Sequence, residues 1–206
     1  MRSPGQIRLG RISTSETEIK DLIKAWAAIS IAFAVVLNSS RLSSGFYQKF
    51  IIASLTVGTG FLLHELGHKI TAQRYKCFAE FRSFDNMLLL AVAMSFFGFI
   101  FAAPGAVMIS GRVSNKKNGL ISAAGPVVNI ALAILFILLA FFDLPKLFKY
   151  TAYYGFTINA WLALFNMLPF GMFDGYKVLK WSKFAYGAVA AAALMLMLAG
   201  NFITPS

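Results

Sequence analysis

The chain has 206 residues, of which 58% are hydrophobic and only 13% charged. That is about half the charge density of an ordinary soluble domain, and the length leaves no room for a second one. The formal net charge of +11 does not point to nucleic acid. Nineteen Lys and Arg lie almost entirely between apolar runs, with no basic stripe interleaved with aromatics, as expected of residues facing lipid headgroups.

Residues 1–21 are polar, and the segment Met1 to Lys24 is too long and polar for the n-region of a secretory signal, so the first apolar run reads as an uncleaved anchor. Gln6 to Ile12 alternates weakly, as a short strand would, and Ser15 to Glu18 has capping-box spacing. Five segments then read as full crossings: roughly 22–37, 50–70, 119–142, 151–169 and 184–203. Gly58 and Gly60 in the second suggest close helix approach. The lone Cys77 forbids an intramolecular disulfide.

The segment 87–110 is the ambiguous one. Met87 to Ala103 is apolar enough to span, but Pro104-Gly105 interrupts it and Val107-Met108-Ile109 reads as a strand. A single crossing would split the basic residues 11 against 8 between the two sides; a re-entrant excursion splits them 15 against 4. The positive-inside rule favours re-entry, with the N-terminus and the basic side cytoplasmic. The expected fold is therefore an all-α polytopic membrane protein, multi-pass in the cell membrane. It has five full transmembrane helices plus a re-entrant helix/β-hairpin segment, with six transmembrane helices as the alternative. One domain covers 1–206, with 50–180 as its core.

The second span runs into His64-Glu65-Leu66-Gly67-His68. Residues four apart share a helix face, so both imidazoles can reach one metal with Glu65 beside them. Two histidines and a third ligand leave an open zinc position for water, and Glu65 can act as its base. His64 lies about 21 Å beyond Phe50 along a helix, which puts the site below the headgroups. These are the only two histidines in the chain.

The third ligand emerges by elimination among eight acidic residues. Glu16, Glu18 and Asp21 precede the first span, and Asp143 lies on the opposite side. Glu80 and Asp85 have basic neighbours, which favours a solvated role. Asp174 remains, in Asn166-Met167-Leu168-Pro169-Phe170-Gly171-Met172-Phe173-Asp174-Gly175, where Pro169 and Gly171 break the helix. Asn129, in Gly125-Pro126-Val127-Val128-Asn129, either joins two helices or donates a hydrogen bond to a carbonyl under attack. The His motif, Asn129 and Asp174 share one side only if 87–110 re-enters, which the charges already favour.

Together these motifs resemble the site-2 proteases, intramembrane zinc metalloproteases that cut transmembrane proteins in regulated proteolysis. The resemblance covers roughly residues 50–180 and implies His64, His68 and Asp174 as ligands of one zinc ion and Glu65 as catalytic base. Asn129 and Asn166 fall on family positions near the catalytic centre. The family commonly carries a strand or hairpin that pairs with unwound substrate, and Gly98 to Ser110 is similar in position and character. The implied partners are transmembrane protein substrates and the lipid bilayer. The chain lacks the PDZ or CBS domain of many relatives, and the second proline often found before the aspartate. The rival reading is a non-catalytic membrane zinc-binding protein or metal transporter, which would tolerate Glu65→Gln better than an enzyme would.

Overall fold

A computed structural model of the chain describes residues 6–10, 12–38, 45–100 and 104–200. The polar N-terminal segment opens with two short strands, β1 (Gln6–Leu9) and β2 (Ile12–Ser15), paired antiparallel across Gly10. A hairpin thus stands where alternation suggested one strand, because Gly10 takes a positive φ of 63° that reverses the chain. Ser15 caps the next helix, α1 (Glu16–Leu37), by accepting from the Glu18 N–H at 3.2 Å. The reciprocal half of the capping box does not form, since the Glu18 carboxylate turns inward.

A continuous helical stretch follows: α2 (Phe46–Ala53), a π-helical turn (Ser54–Gly58) and α3 (Thr59–Arg74). In the π turn the Ser54 carbonyl accepts from the Thr59 backbone N–H five residues on, and also from Trp26 Nε1 at 3.2 Å and Thr59 Oγ1 at 3.0 Å. Gly58 permits this contact, because a Cβ there would lie 2.5 Å from Ser30 Oγ and 2.8 Å from the Trp26 ring. The expectation of close approach at Gly58 is met by α1.

Beyond α3 come β3 (Phe78–Ser83), α4 (Asp85–Ser95) and β4 (Gly105–Ser110). β3 and β4 pair antiparallel from Phe78↔Ser110 to Ser83↔Gly105. The chain therefore leaves β3 and returns beside its own point of departure. α4 has 11 residues, about 16 Å of helix, too short to cross a bilayer. Part of Gly98 to Ser110, residues 101–103, lies outside the described residues.

Three longer helices and a short one complete the fold: α5 (Asn115–Ala140), α6 (Lys146–Asn166), α7 (Asp174–Trp181) and α8 (Lys183–Ala199). The protein is mostly helical. Among the described residues, two helical stretches, Phe46–Arg74 and Asn115–Ala140, are long and apolar enough to cross a membrane. The expected crossings at 22–37 and 151–169 do form helices, but charged residues begin α1 and polar ones interrupt α6. The final expected crossing ends in residues 201–203, outside the described residues.

The core assembles around α3. Phe61 meets Phe81 of β3 edge-on at 5.8 Å, while Ala72 packs with Ala79 and Ile121. The β3–β4 hairpin thus lies along the stretch that carries both histidines. Lys24 of α1 bonds Asp85 at 2.7 Å and ties α4 to the first helix. Hydrogen bonds from Lys24 and then Ser83 hold the exposed Asp85 carboxyl below its ordinary value.

Candidate metal centre

His64 and His68 stand one turn apart on α3, both buried, with their rings edge to face. Each ring is held from behind. His64 Nδ1 lies 2.6 Å from Asn129 Oδ1, and His68 Nδ1 lies 2.8 Å from the Ile121 carbonyl oxygen, both on α5. An oxygen acceptor obliges the neutral ring to carry its proton on Nδ1, which leaves Nε2 as a bare lone pair.

Both Nε2 atoms point at the same place. They stand 3.0 Å apart, and Asp174 Oδ2 lies 3.0 Å from His68 Nε2 and 3.5 Å from His64 Nε2. Three lone pairs meeting in this way repel one another unless a metal ion or a proton sits among them. Ligands about 2.0–2.1 Å from a tetrahedral zinc stand ~3.3 Å apart, so these separations suit the ion. The three ligand atoms fall within 4.8 Å of one another, a group able to bind a metal.

The surrounding chain is shaped to allow this convergence. A Cβ on Gly125 would meet His68 Nε2 and lie 2.6 Å from His64 Nε2, so only glycine lets α5 pass this close to the ligating nitrogens. At the other side α6 ends at Asn166, Gly171 turns the chain with φ +62°, and Asp174 opens α7. Gly175 is pressed against the Met167 carbonyl, where a Cβ would lie 2.2 Å away. That contact fixes the first turn of α7 and aims the Asp174 carboxylate back at α3.

The other residues singled out in the sequence fall as follows. Glu65 is buried on α3 beside the pair. Asn129 is fully buried and spends its amide inside the protein: Oδ1 on His64, Nδ2 on the Gly60 carbonyl at 3.3 Å and on Asn159 Oδ1 at 2.9 Å. Of its two expected roles, this geometry favours joining helices over donating to a substrate carbonyl. Asn166 is not brought to the trio by its bonding, since its Nδ2 donates to Leu162 O one turn back in its own helix. Glu80, expected to be solvated, is instead buried and paired with Arg82.

Sequence reasoning missed Glu18, Lys69 and Asn159. Glu18 and Lys69 form a buried ion pair joining α1 to α3, and Glu18 also accepts from Thr14 Oγ1 and the Phe81 N–H. Asn159 was open to the same argument as Asn129, a lone amide in an apolar run.

Buried histidines and a carboxylate gathered beside a glutamate define a class, proteins with a site able to hold a metal ion. Comparison with known proteins agrees. A Methanocaldococcus jannaschii protein named "Putative zinc metalloprotease" is 41% identical over 187 residues, covering 89% of this chain and 94% of that protein. This chain belongs to that zinc metalloprotease family. No family model matches the sequence, and no solved structure matches it.

Proposed function

We propose that this chain is an intramembrane zinc metalloprotease of the site-2 type. Its work is to hydrolyse peptide bonds within or near the transmembrane segments of other membrane proteins, as a step in regulated proteolysis. The observation that carries the reading is the convergence of the buried His64 Nε2, His68 Nε2 and Asp174 Oδ2 on one place. The HExxH spacing of His64, Glu65 and His68, the helices long enough to span and the zinc metalloprotease relative support it. In this reading the chain is multi-pass in the cell membrane, with the N-terminus and the active-site side cytoplasmic, and binds one zinc.

When bound, zinc supplies Lewis acidity, making a water molecule acidic and a peptide carbonyl electrophilic. The protein does the rest. His64, His68 and Asp174 hold the ion, while Asn129 Oδ1 and Ile121 O fix the two rings in the ligating tautomer. Glu65 takes a proton from the attacking water as the oxygen–carbon bond forms. It returns that proton to the amide nitrogen as the carbon–nitrogen bond breaks.

A helical substrate buries its carbonyls in its own hydrogen bonds, so it must be drawn out before attack. The β3–β4 hairpin offers one edge for this. On β3, the outward Phe81 N–H is taken by Glu18 and the outward Ala79 carbonyl by Gln73 Nε2 at 3.1 Å, so that edge is closed. The register places Val107 opposite Phe81 and Ile109 opposite Ala79, as non-hydrogen-bonded pairs. Val107 and Ile109 therefore turn their own N–H and C=O groups outward from β4, where an extended peptide can add as a third strand.

The test is hydrolysis of a detergent-solubilised membrane-segment reporter by wild type and Glu65→Gln, with zinc measured in both. The reading expects zinc to remain and the rate to fall by about 10²–10⁴, the usual contribution of general acid–base catalysis. Zinc retained with no hydrolysis by either protein, across helix-broken reporters, would favour a binding or transport role instead.

A further inference from the structure

Behind His64 runs a chain of amides that ends on main-chain carbonyls. Asn159, fully buried on α6, donates from Nδ2 to the Gly155 carbonyl at 2.8 Å. Its Oδ1 accepts from Asn129 Nδ2 at 2.9 Å, and the same Nδ2 donates to the Gly60 carbonyl. Asn129 Oδ1 is left facing His64 Nδ1. Gly60 leaves room for the junction, since a Cβ there would lie 2.5 Å from Asn159 Oδ1.

The order of donors and acceptors in this chain has only one consistent direction. The carbonyls of Gly155 and Gly60 can only accept, so each must face an NH₂ group. Were the Asn129 amide turned over, its oxygen would meet the Gly60 and Asn159 oxygens with no proton between them. Its NH₂ would then face His64 Nδ1 and force the ring proton onto Nε2. That tautomer points an N–H, not a lone pair, at the place where the three ligand atoms converge.

We propose that Asn159 is a positioning residue of the metal centre. By accepting from Asn129 it locks that amide with its oxygen toward His64, and so keeps His64 Nε2 free to bind the ion. The inference rests on the metal-centre reading above. Asn159 does not touch the metal site; it acts through Asn129. The Gly60 carbonyl alone, at 3.3 Å, is the weaker of the two locks.

The experiment is zinc affinity by chelator competition on the full chain in mild detergent, for wild type, Asn159→Leu, Asn129→Ala and the double variant. Thermal unfolding of each metal-free protein reports the fold. Losing an outer-shell partner weakens metal binding by about 10–100-fold. Asn159→Leu should therefore lose about tenfold, and the double variant should bind no worse than Asn129→Ala alone. The cobalt-substituted Asn159→Leu protein should also show altered visible bands, which a purely structural role would leave unmoved.

Wild-type affinity and unchanged cobalt bands in Asn159→Leu would overturn the proposal. So would independent losses that multiply in the double variant. If Asn159→Leu fails to fold, Asn159→Ser, which keeps a hydroxyl acceptor, should bind zinc within a few-fold of wild type. Asn159→Ala should again lose about tenfold, and equal affinities in these two would refute the lock. Wild type that takes up no zinc at all would bring down the metal reading itself, and this inference with it.

Discussion

Helix α3 is polar on two sides, and the two sides behave oppositely. Toward α5 and α7 it presents His64 and His68, whose Nε2 atoms meet each other and the Asp174 carboxylate at one place; with both ring protons drawn to Nδ1, no donor is left among them. Toward α1 and the strands it presents Lys69 and Gln73, whose partners are complementary. The Lys69 ammonium meets the Glu18 carboxylate, and the Gln73 amide bonds the main chain of Ser13 and Ala79. The Lys69 ion pair is as buried as the histidines, so burial alone distinguishes nothing. What separates a site from a strut is whether the buried polar groups satisfy one another.

The comparison breaks most visibly at Lys69. Lys69→Met should leave the Glu18 carboxylate buried without its cation, which costs about 3–5 kcal/mol. Thermal unfolding in detergent would show a large drop, while the fraction still folded keeps its zinc. The double variant Lys69→Met/Glu18→Leu should recover only part of that loss, because it removes the buried charges but strands the Thr14 hydroxyl and the Phe81 N–H that Glu18 accepts from. Loss of zinc at unchanged stability would instead make the two sides one functional unit.

A smaller effect is expected at the open strand. Val107→Pro removes an N–H that the hairpin itself does not use, and proline is tolerated at such an edge. Zinc should hold and stability fall modestly, since Val107 also packs against the core, while cleavage of a membrane-segment reporter falls about tenfold, the worth of one or two peptide hydrogen bonds. Unchanged kcat/KM would remove β4 from the substrate path.

Much of the site could be read from the sequence because its chemistry requires rare residues at fixed spacing. His64, Glu65 and His68 announce themselves by a helical repeat, and Asp174 by being the acidic residue left over. The close approach at Gly58 and Gly60 was legible for the same reason, glycine being scarce in helix interiors. The buried strut was not. Glu18 looks like half of a capping box, and nothing local reveals that its carboxylate crosses to Lys69, 51 residues away. Asn159 offers the same signal as Asn129, a lone amide in an apolar run, but its role depends on the amide it faces on another helix. Glu80 looked solvated beside its basic neighbours; Arg82 indeed meets it, but within the fold rather than in water. Asn166 drew attention by its motif, and its amide is spent on its own helix.

The smallest effect concerns Asp85. Its carboxyl is held below the ordinary value by Lys24 and Ser83, so its contribution is complete at neutral pH and fades only as pH falls through that lowered value. Asp85→Asn should therefore lower stability slightly at pH 7 and converge with wild type in strong acid. A pH-independent difference would assign the loss to something other than this ion pair.

The central claim is that three buried lone pairs exist to hold one ion, and metal analysis of protein purified in mild detergent without chelators tests it most directly. Wild type should carry close to one zinc per chain, His64→Ala should carry essentially none, and Asp174→Ala should bind weakly and lose its zinc on dialysis. Well-folded wild type that holds no stoichiometric metal, even after zinc is resupplied, would contradict the account.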